Sequence, residues 1–376
     1  MNLSSAISST PPQTDCSAEN SSLQPTKETG KGPAERDSYE ASSVLQSEAT
    51  VPTVEFSPAP LEPRNLRSRG KLPARAASPK KTASTSQRPP GLQNLGNTCY
   101  LNSLLQALLA VPAFWDPSSH RLHSMVPKVA KQLFKTLSSM KDSERAAPNT
   151  KPLLQELQRV KIASGATEFR YIHQQDVAEV LNIVIDALKE ACVNWKESVT
   201  DPHDYVSCEN CGEFTVSDAE VLPYLVITPS FGKLHDILNR VTQRESAGYV
   251  CSNCGNEQLV KQHLFHRAPK VLVIQLNRAV YANQVLSKDQ SVVEISMTLN
   301  FPTKRGNKLY RTPYTLKAVV CHEGVSPVEG HYYTYAKHHE KWYRCNDDKV
   351  MEINKNVIMP TLNSKHTYIY LFEKHS

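Results

Sequence analysis

The chain has 376 residues, a formal net charge of +6 and nine cysteines. That length holds one large domain or two ordinary ones, and so mild a charge calls for neither a nucleic acid nor a membrane surface as partner. No apolar run approaches the roughly 20 residues of a membrane span, and the first residues lack the apolar core of a signal peptide. The cysteines are therefore expected as thiols or metal ligands in a reducing intracellular compartment, cytoplasm or nucleus.

Residues 1–90 are rich in Ser, Pro, Thr and charge and carry few bulky apolar side chains. Such a segment cannot bury enough surface to offset its ordering entropy, so it is expected to be a disordered tail. Its stretch "RNLRSRGKLPARAASPKK" is basic, which reads as a solvated tail before it reads as a nuclear-import or nucleic-acid patch. From Gly91 onward the pattern is globular.

The first ordered stretch, "GLQNLGNTCYLNSLLQALL", raises the question of chemistry at once. Leu101, Leu104, Leu105, Leu108 and Leu109 recur at helical spacing and Pro112 ends the run. Cys99 then falls in the first helical turn, where the dipole and unpaired N–H groups stabilise a thiolate and can hold a developing oxyanion. Gly96 and Asn97 suit a tight turn that leaves the sulfur accessible. On this stretch alone, a buried structural cysteine is an equal reading. Further on, "HQQDVAEVLNIVIDALKEA" places Val177, Val180, Leu181, Val184, Ile185 and Leu188 on one helical face.

"CENCG" and "CSNCG" each place CxxC before a glycine. Cys208, Cys211, Cys251 and Cys254 thus offer four thiolates on two knuckles, the donor set of one tetrahedral, structural zinc ion with no open position. The segment between the knuckles is not notably basic, which argues against a nucleic-acid-binding ribbon. Apolar strands follow in "KVLVIQLNRA", "VEISMTLNF", "YTLKAVVCHE" and "TYIYLFEK". Helices first and strands later predict an α+β domain with a largely antiparallel sheet.

A cysteine nucleophile needs a base and an orienter. "HYYTYAKH" and "KWYRCND" read as a hairpin. A turn centred on His338 and His339 would set residue 331 opposite 346, placing His331 beside Asn346 with Asp347 one step along. An amide or carboxylate there fixes the imidazole tautomer. Gly330 would let a substrate backbone come close. His322, His338 and His339 have no polar orienter placed opposite them by the same hairpin.

Together these segments resemble the ubiquitin-specific proteases, papain-like cysteine deubiquitinases. "GLQNLGNTCYLNSLLQALL" is similar to the family's cysteine box and "GHYYTYAK" with "KWYRCNDDKV" to its histidine box. "HQQDVAEVLNIVIDAL" resembles the helix motif between them, and the two knuckles resemble the zinc site of its fingers. The resemblance implies a papain-like fold of thumb (about 91–200), zinc-bearing fingers (about 201–265) and palm (about 266–376), and hydrolysis of the bond after the C-terminal glycine of ubiquitin on protein conjugates. By position it implies Cys99 as nucleophile, His331 as general base and then acid, Asn346 as third member with Asp347 next to it, and Asn94 at the oxyanion. It further implies Gln174, Asp176, Gly330 and Tyr332 along the channel for the ubiquitin tail. Asn346 stands where many members have Asp, Asn277 and Ala279 where the palm strand often has Lys and an aromatic, and Val177 and Ala178 vary the helix motif. Two alternatives stand beside this reading: a protease for a related ubiquitin-like modifier, and a non-catalytic ubiquitin-binding scaffold.

Overall fold

Helices gather in the first half of the domain because the apolar residues there repeat at helical spacing. In the computed structural model these are α1 (Cys99–Leu109), α2 (Pro112–Trp115), α3 (Lys128–Asp142), α4 (Lys151–Ala163) and α5 (Val177–Ala191). The structure describes residues 88–142, 148–165, 174–198, 200, 202–218, 224–230, 232–282, 284–305 and 308–375. The chain divides into two units, 1–78 and 79–376. The first unit lies outside the described residues, and with it most of the predicted disordered tail.

Every residue of α1 is buried, as befits a helix at the centre of a core rather than on a surface. Pro112 closes its run and opens α2 in one step, a first-turn position where a missing N–H costs nothing. Asp176 caps α5, its Oδ1 accepting the Ala178 N–H at 2.8 Å.

The strands follow. β1 (Pro202–Cys208) and β2 (Phe214–Asp218) precede the short β3 (Leu225–Ile227), β4 (Gly232–Lys233), helix α6 (Leu234–Val241) and β5 (Arg244–Ser246). Next come β6 (Leu259–Phe265), β7 (Val271–Leu276), β8 (Ala279–Ala282), β9 (Val285–Lys288), β10 (Val293–Glu294), β11 (Thr298–Arg305) and β12 (Lys308–Glu323). The chain closes with β13 (His331–His338), β14 (Lys341–Asn346), β15 (Lys349–Ile353), α7 (Lys355–Leu362) and β16 (Thr367–Lys374).

Two sheets carry the architecture. Strands β2-β1-β6-β5 form the fingers, with a cysteine knuckle following β1 and another between β5 and β6. Strands β15-β14-β13-β12-β16-β7-β3, with β11 against β12, form the palm. Pairing is antiparallel throughout both, apart from β3 with β7, in line with the predicted α+β class. The palm is buried on both faces by simple alternation. Val271, Val273, Ala318, Val320, Ile369 and Leu371 meet the helical layer of α1, α3, α4 and α5. The intervening Leu272, Ile274, Val319, Cys321, Tyr370 and Phe372 meet α6, α7 and β11. This is the thumb, palm and fingers arrangement that the sequence implied.

The predicted register of the histidine hairpin needs correction. Its turn is His339–Glu340, both in the left-handed region with φ of 45° and 68°, the backbone of a two-residue hairpin turn. Thr334 lies opposite Cys345, where a turn on His338 and His339 would have placed Tyr343. The slip is two residues. An even slip leaves every side chain on its own face, so His331 and Asn346 remain on a common face as diagonal neighbours instead of direct partners. The segment "VEISMTLNF" likewise divides into β10 and β11 instead of running as one strand.

Candidate active site

The turn before α1 forms as its sequence suggests, with Gly96 at φ 99° and Asn97 at φ 52°. The Asn94 side chain stitches this turn: its Oδ1 accepts the N–H groups of Gly96 at 3.1 Å and Thr98 at 3.0 Å. Thr98, the N-cap residue, makes no side-chain cap, because its hydroxyl instead accepts the Leu95 N–H at 2.8 Å. First-turn N–H groups of α1 are thereby left for a ligand. Contrary to the sequence expectation of an open sulfur, Cys99 is only 4% exposed.

β13 brings His331 to Cys99. The imidazole Nε2 lies 2.6 Å from Asn346 Oδ1. An amide oxygen can only accept, so Nε2 carries the proton. Nδ1 is then the nitrogen left for the sulfur. Hydrogen bonding to Cys99, and after it to Asn346, outweighs partial burial and raises His331 to about 9. At neutral pH the ring is an imidazolium, the counter-charge that a thiolate needs.

Asp347 does not lie on the histidine ring. Held in the left-handed region at φ 51°, it turns its carboxylate toward the cysteine segment. Oδ2 accepts from Asn94 Nδ2 at 2.9 Å and Oδ1 from Asn102 Nδ2 at 2.8 Å. Its backbone carbonyl accepts the Leu92 N–H at 2.9 Å. One aspartate thus ties the turn, the first helix and the end of β14 together.

Asn102 escaped the sequence reading, although a signal existed. Cys99, Asn102 and Gln106 are spaced as one face of α1, a polar stripe on an otherwise apolar helix. Gln106 Nε2 donates to the Pro90 carbonyl at 2.6 Å and Asn102 to that of Gln93 at 3.2 Å, so the stripe binds the incoming chain.

The residues assigned to the substrate channel have mixed placements. Gln174 Oε1 accepts the Gly330 N–H at 3.0 Å, and its Nε2 is buried without a partner. Asp176 is committed to capping α5 and to the Tyr368 hydroxyl at 2.8 Å. Burial raises its pKa in spite of those donors. Tyr332 is 2% exposed and stacks on His322 with ring centroids 4.4 Å apart. Its ring is part of the core. Gly330 has a packing reason to be glycine: a Cβ would stand 2.3 Å from the Glu323 carbonyl oxygen.

At the finger tips the sulfur atoms of Cys208, Cys211, Cys251 and Cys254 lie within 4.8 Å of one another. The Cys208–Cys254 and Cys211–Cys251 separations are 3.6 and 3.7 Å. Both knuckles close alike: the Gly212 N–H donates to the Cys208 carbonyl at 3.0 Å and the Gly255 N–H to that of Cys251 at 2.9 Å. The glycines sit at φ 73° and 71°, a conformation few other residues take. The cluster is fit to hold a metal ion.

Comparisons with known proteins identify the family and the fold. The ubiquitin carboxyl-terminal hydrolase family matches residues 90–372. "Ubiquitin carboxyl-terminal hydrolase 25" of Arabidopsis thaliana is 29% identical over 333 residues, covering 76% of this chain and 47% of its own length. "Ubiquitin carboxyl-terminal hydrolase 42" of Homo sapiens is 27% identical over 297 residues, covering 69% and 21%. The chain spans less than half the length of these two relatives. Among solved structures, the SAGA Ubp8/Sgf11/Sus1/Sgf73 DUB module bound to ubiquitin aldehyde has the same fold, with a TM-score of 0.62 at 21% identity over 79% of this chain and 72% of that one. With a family match over most of its length, the chain belongs to the ubiquitin carboxyl-terminal hydrolases, of the ubiquitin-specific protease type.

Proposed function

We propose that this chain is a thiol-dependent deubiquitinase that hydrolyses the bond after the C-terminal glycine of ubiquitin on protein conjugates. The observation that carries the reading is the assembly of Cys99, His331 and Asn346 from opposite ends of the domain, with the imidazole raised to about 9 by the sulfur it faces. Cys99 Sγ attacks the glycine carbonyl carbon while His331 holds a proton on Nδ1. The oxyanion forms against first-turn N–H groups of α1 and the second N–H of Asn94 Nδ2, the first being held by Asp347. Collapse expels the lysine amine, which takes the Nδ1 proton and leaves a thioester. A water molecule then attacks the thioester carbonyl and gives one proton to His331; collapse frees the ubiquitin carboxyl group, which ionises to solvent, and returns the thiolate beside the protonated ring. Asn346 keeps Nε2 protonated throughout and so keeps Nδ1 aimed at the chemistry. Gln174, whose buried Nε2 has no partner, and the backbone at Gly330 are the channel groups that suit an extended peptide tail.

The metal read for the finger tips is one structural zinc ion. Zinc–sulfur bonds of about 2.3 Å in a tetrahedron separate the sulfurs by about 3.8 Å, close to the spacing found. Asn210 Nδ2 at 3.5 Å from Cys254 Sγ and Asn256 Nδ2 at 3.8 Å from Cys208 Sγ supply N–H donors suited to thiolates. Backbone N–H donation, first from Cys211, holds Cys208 down at about 6. A reducing intracellular compartment, cytoplasm or nucleus, fits a free-thiol nucleophile and thiolate ligands. Among the described residues no helix is long and apolar enough to cross a membrane.

The test is reaction of the chain with ubiquitin bearing a thiol-reactive group at its C-terminus, beside Cys99→Ala and a matched ubiquitin-like probe. Labelling of the wild type by ubiquitin alone supports the reading. Labelling by the other probe alone would assign a different modifier, and no labelling by either would leave a binding scaffold.

A further inference from the structure

Two buried cations stand at the root of the β8–β9 hairpin. Arg278 is 1% exposed; its Nε donates to the Thr367 carbonyl at 2.6 Å and its Nη1 to those of Asp289 and Ser291, both at 2.9 Å. Lys288 is 7% exposed; its Nζ donates to His322 Nδ1 at 3.1 Å and to the carbonyls of His322 at 2.7 Å and Gly324 at 3.2 Å. These acceptors are carbonyls and a ring nitrogen, and none is a carboxylate. Holding a charge in the interior without a hydrogen-bonded counter-ion costs stability that an apolar side chain would keep. A cation retained on those terms beside a reactive site is a candidate for a role in it.

The Lys288 contacts show what that role is. An ammonium has three N–H donors, and three acceptors surround this one. The two carbonyls it grips flank Glu323. Glu323 pairs with His331, and that is the last rung of the β12–β13 ladder before the chain leaves for residues 324–330. On its other side β13 meets β14 only from Thr334 onward, and β12 meets β16 only as far as Cys321. The strand end that carries His331 is therefore a terminal rung with little sheet beside it, the kind that frays. His322, 3% exposed, extends the same grip. Its ring stacks on Tyr332, next to His331, and its Nε2 faces Gly330, where a Cβ would approach to 2.6 Å.

We propose that Lys288 is a positioning residue for His331: its ammonium clamps both sides of Glu323 and the ring of His322, and so fixes the last rung on which the histidine stands. The inference rests on the reading of His331 as the general base.

Lys288→Met keeps the aliphatic bulk and removes the three donors. The full chain carrying it is compared with wild type and with Lys128→Met, a change at an exposed position of α3. Two readouts are taken: kcat and KM on a ubiquitin C-terminal fluorogenic amide, and the pH profile of Cys99 alkylation by iodoacetamide, followed on the Cys99 peptide by mass spectrometry. We expect kcat to fall about tenfold or more with KM changed less than about twofold, because a loosened base loses productive geometry and not binding. We also expect the His331 inflection in the alkylation profile to move down from about 9, since contact with Cys99 is what raises it most. Unchanged kcat and an unchanged profile would overturn the proposal, as would a rise in KM alone. If the methionine variant does not fold, Lys288→Gln meets the same two criteria. Alkylation needs no ubiquitin, so a wild type silent on the amide would count against the proposed substrate while the profile still judges Lys288.

Discussion

Asp347→Asn separates the two roles open to an aspartate beside the third member of a triad. The carboxylate holds Asn94 and Asn102 on different oxygens at 2.9 and 2.8 Å. An amide of the same shape keeps one acceptor and turns an N–H toward the other donor, while asparagine still tolerates the φ of 51°. The substitution deletes one hydrogen bond to a charged acceptor and weakens the other. Such bonds are worth about 1.5–3 kcal/mol each, with the low end appropriate for the solvent-facing Asn94. The sum is a loss of about 2 kcal/mol, or about 3 °C in Tm for a domain of this size. If Asn94 is released, its N–H no longer waits at the oxyanion, and kcat should fall as much as about 100-fold. Urea denaturation and kcat on a fluorogenic ubiquitin amide are measured for Asp347→Asn, Asn94→Ala and the double variant. Because both changes disable one donor, the double variant should be no slower than the worse single one. Additive losses, or a stability change under about 0.5 kcal/mol, would refute the clamp.

Three further outcomes follow from the same geometry. Since His331 is raised, its contribution to stability is complete below the ordinary histidine range and is lost as pH climbs through about 9; Asn346→Ala, by removing the Nε2 acceptor, should bring the alkaline limb of kcat/KM down from there, and an unmoved limb would show that Asn346 does not act on the ring. Cys254→Ser should abolish bound zinc in elemental analysis and loosen β1, β2, β5 and β6 by hydrogen exchange, whereas full metal content would refute the four-thiolate site. Thr334→Val deletes the buried 2.7 Å hydrogen bond to the Ser103 carbonyl and should cost about 1 kcal/mol in urea denaturation with kcat unchanged; a tenfold fall in kcat would mean that this deeper bridge also sets the site.

Much of this was legible because the decisive patterns are local. The leucine spacing of α1, the short apolar run of "KVLVIQLNRA" and the two knuckles can each be read from a few neighbouring residues. The hairpin was legible only in part. His339 and Glu340, not glycine and asparagine, occupy the left-handed turn positions, so no turn signal marked the register, and pairing was misplaced by two residues while face was kept. The packing of Tyr332 and the second hydrogen bond of Asp176 were invisible because each involves Tyr368, nearly two hundred residues after Asp176. Lys288 and Arg278 were missed for a related reason. A cation in a short polar hairpin reads as solvated, and only the packing of β12 and β16 over it reveals otherwise.

The bridges around Cys99 are polar although the helix carrying it is buried on every side. Apolar packing tolerates small slides between a helix and a sheet, since one methyl contact replaces another at little cost. A hydrogen bond does not slide, because a donor left without its acceptor in the interior loses a kilocalorie or more. Asn102 to Asp347, Asn94 to Asp347 and the Leu92 N–H to the Asp347 carbonyl all join the cysteine segment to the histidine hairpin. Together they hold the helix at one position on the sheet. Thiol and imidazole approach from distant parts of the chain and must meet within about half an ångström of their working geometry. An all-leucine seam would fold as well or better and would leave that distance loose. The polar stripe of α1 is therefore where the chain gives up stability for alignment, and substitutions there should damage turnover before they unfold the domain.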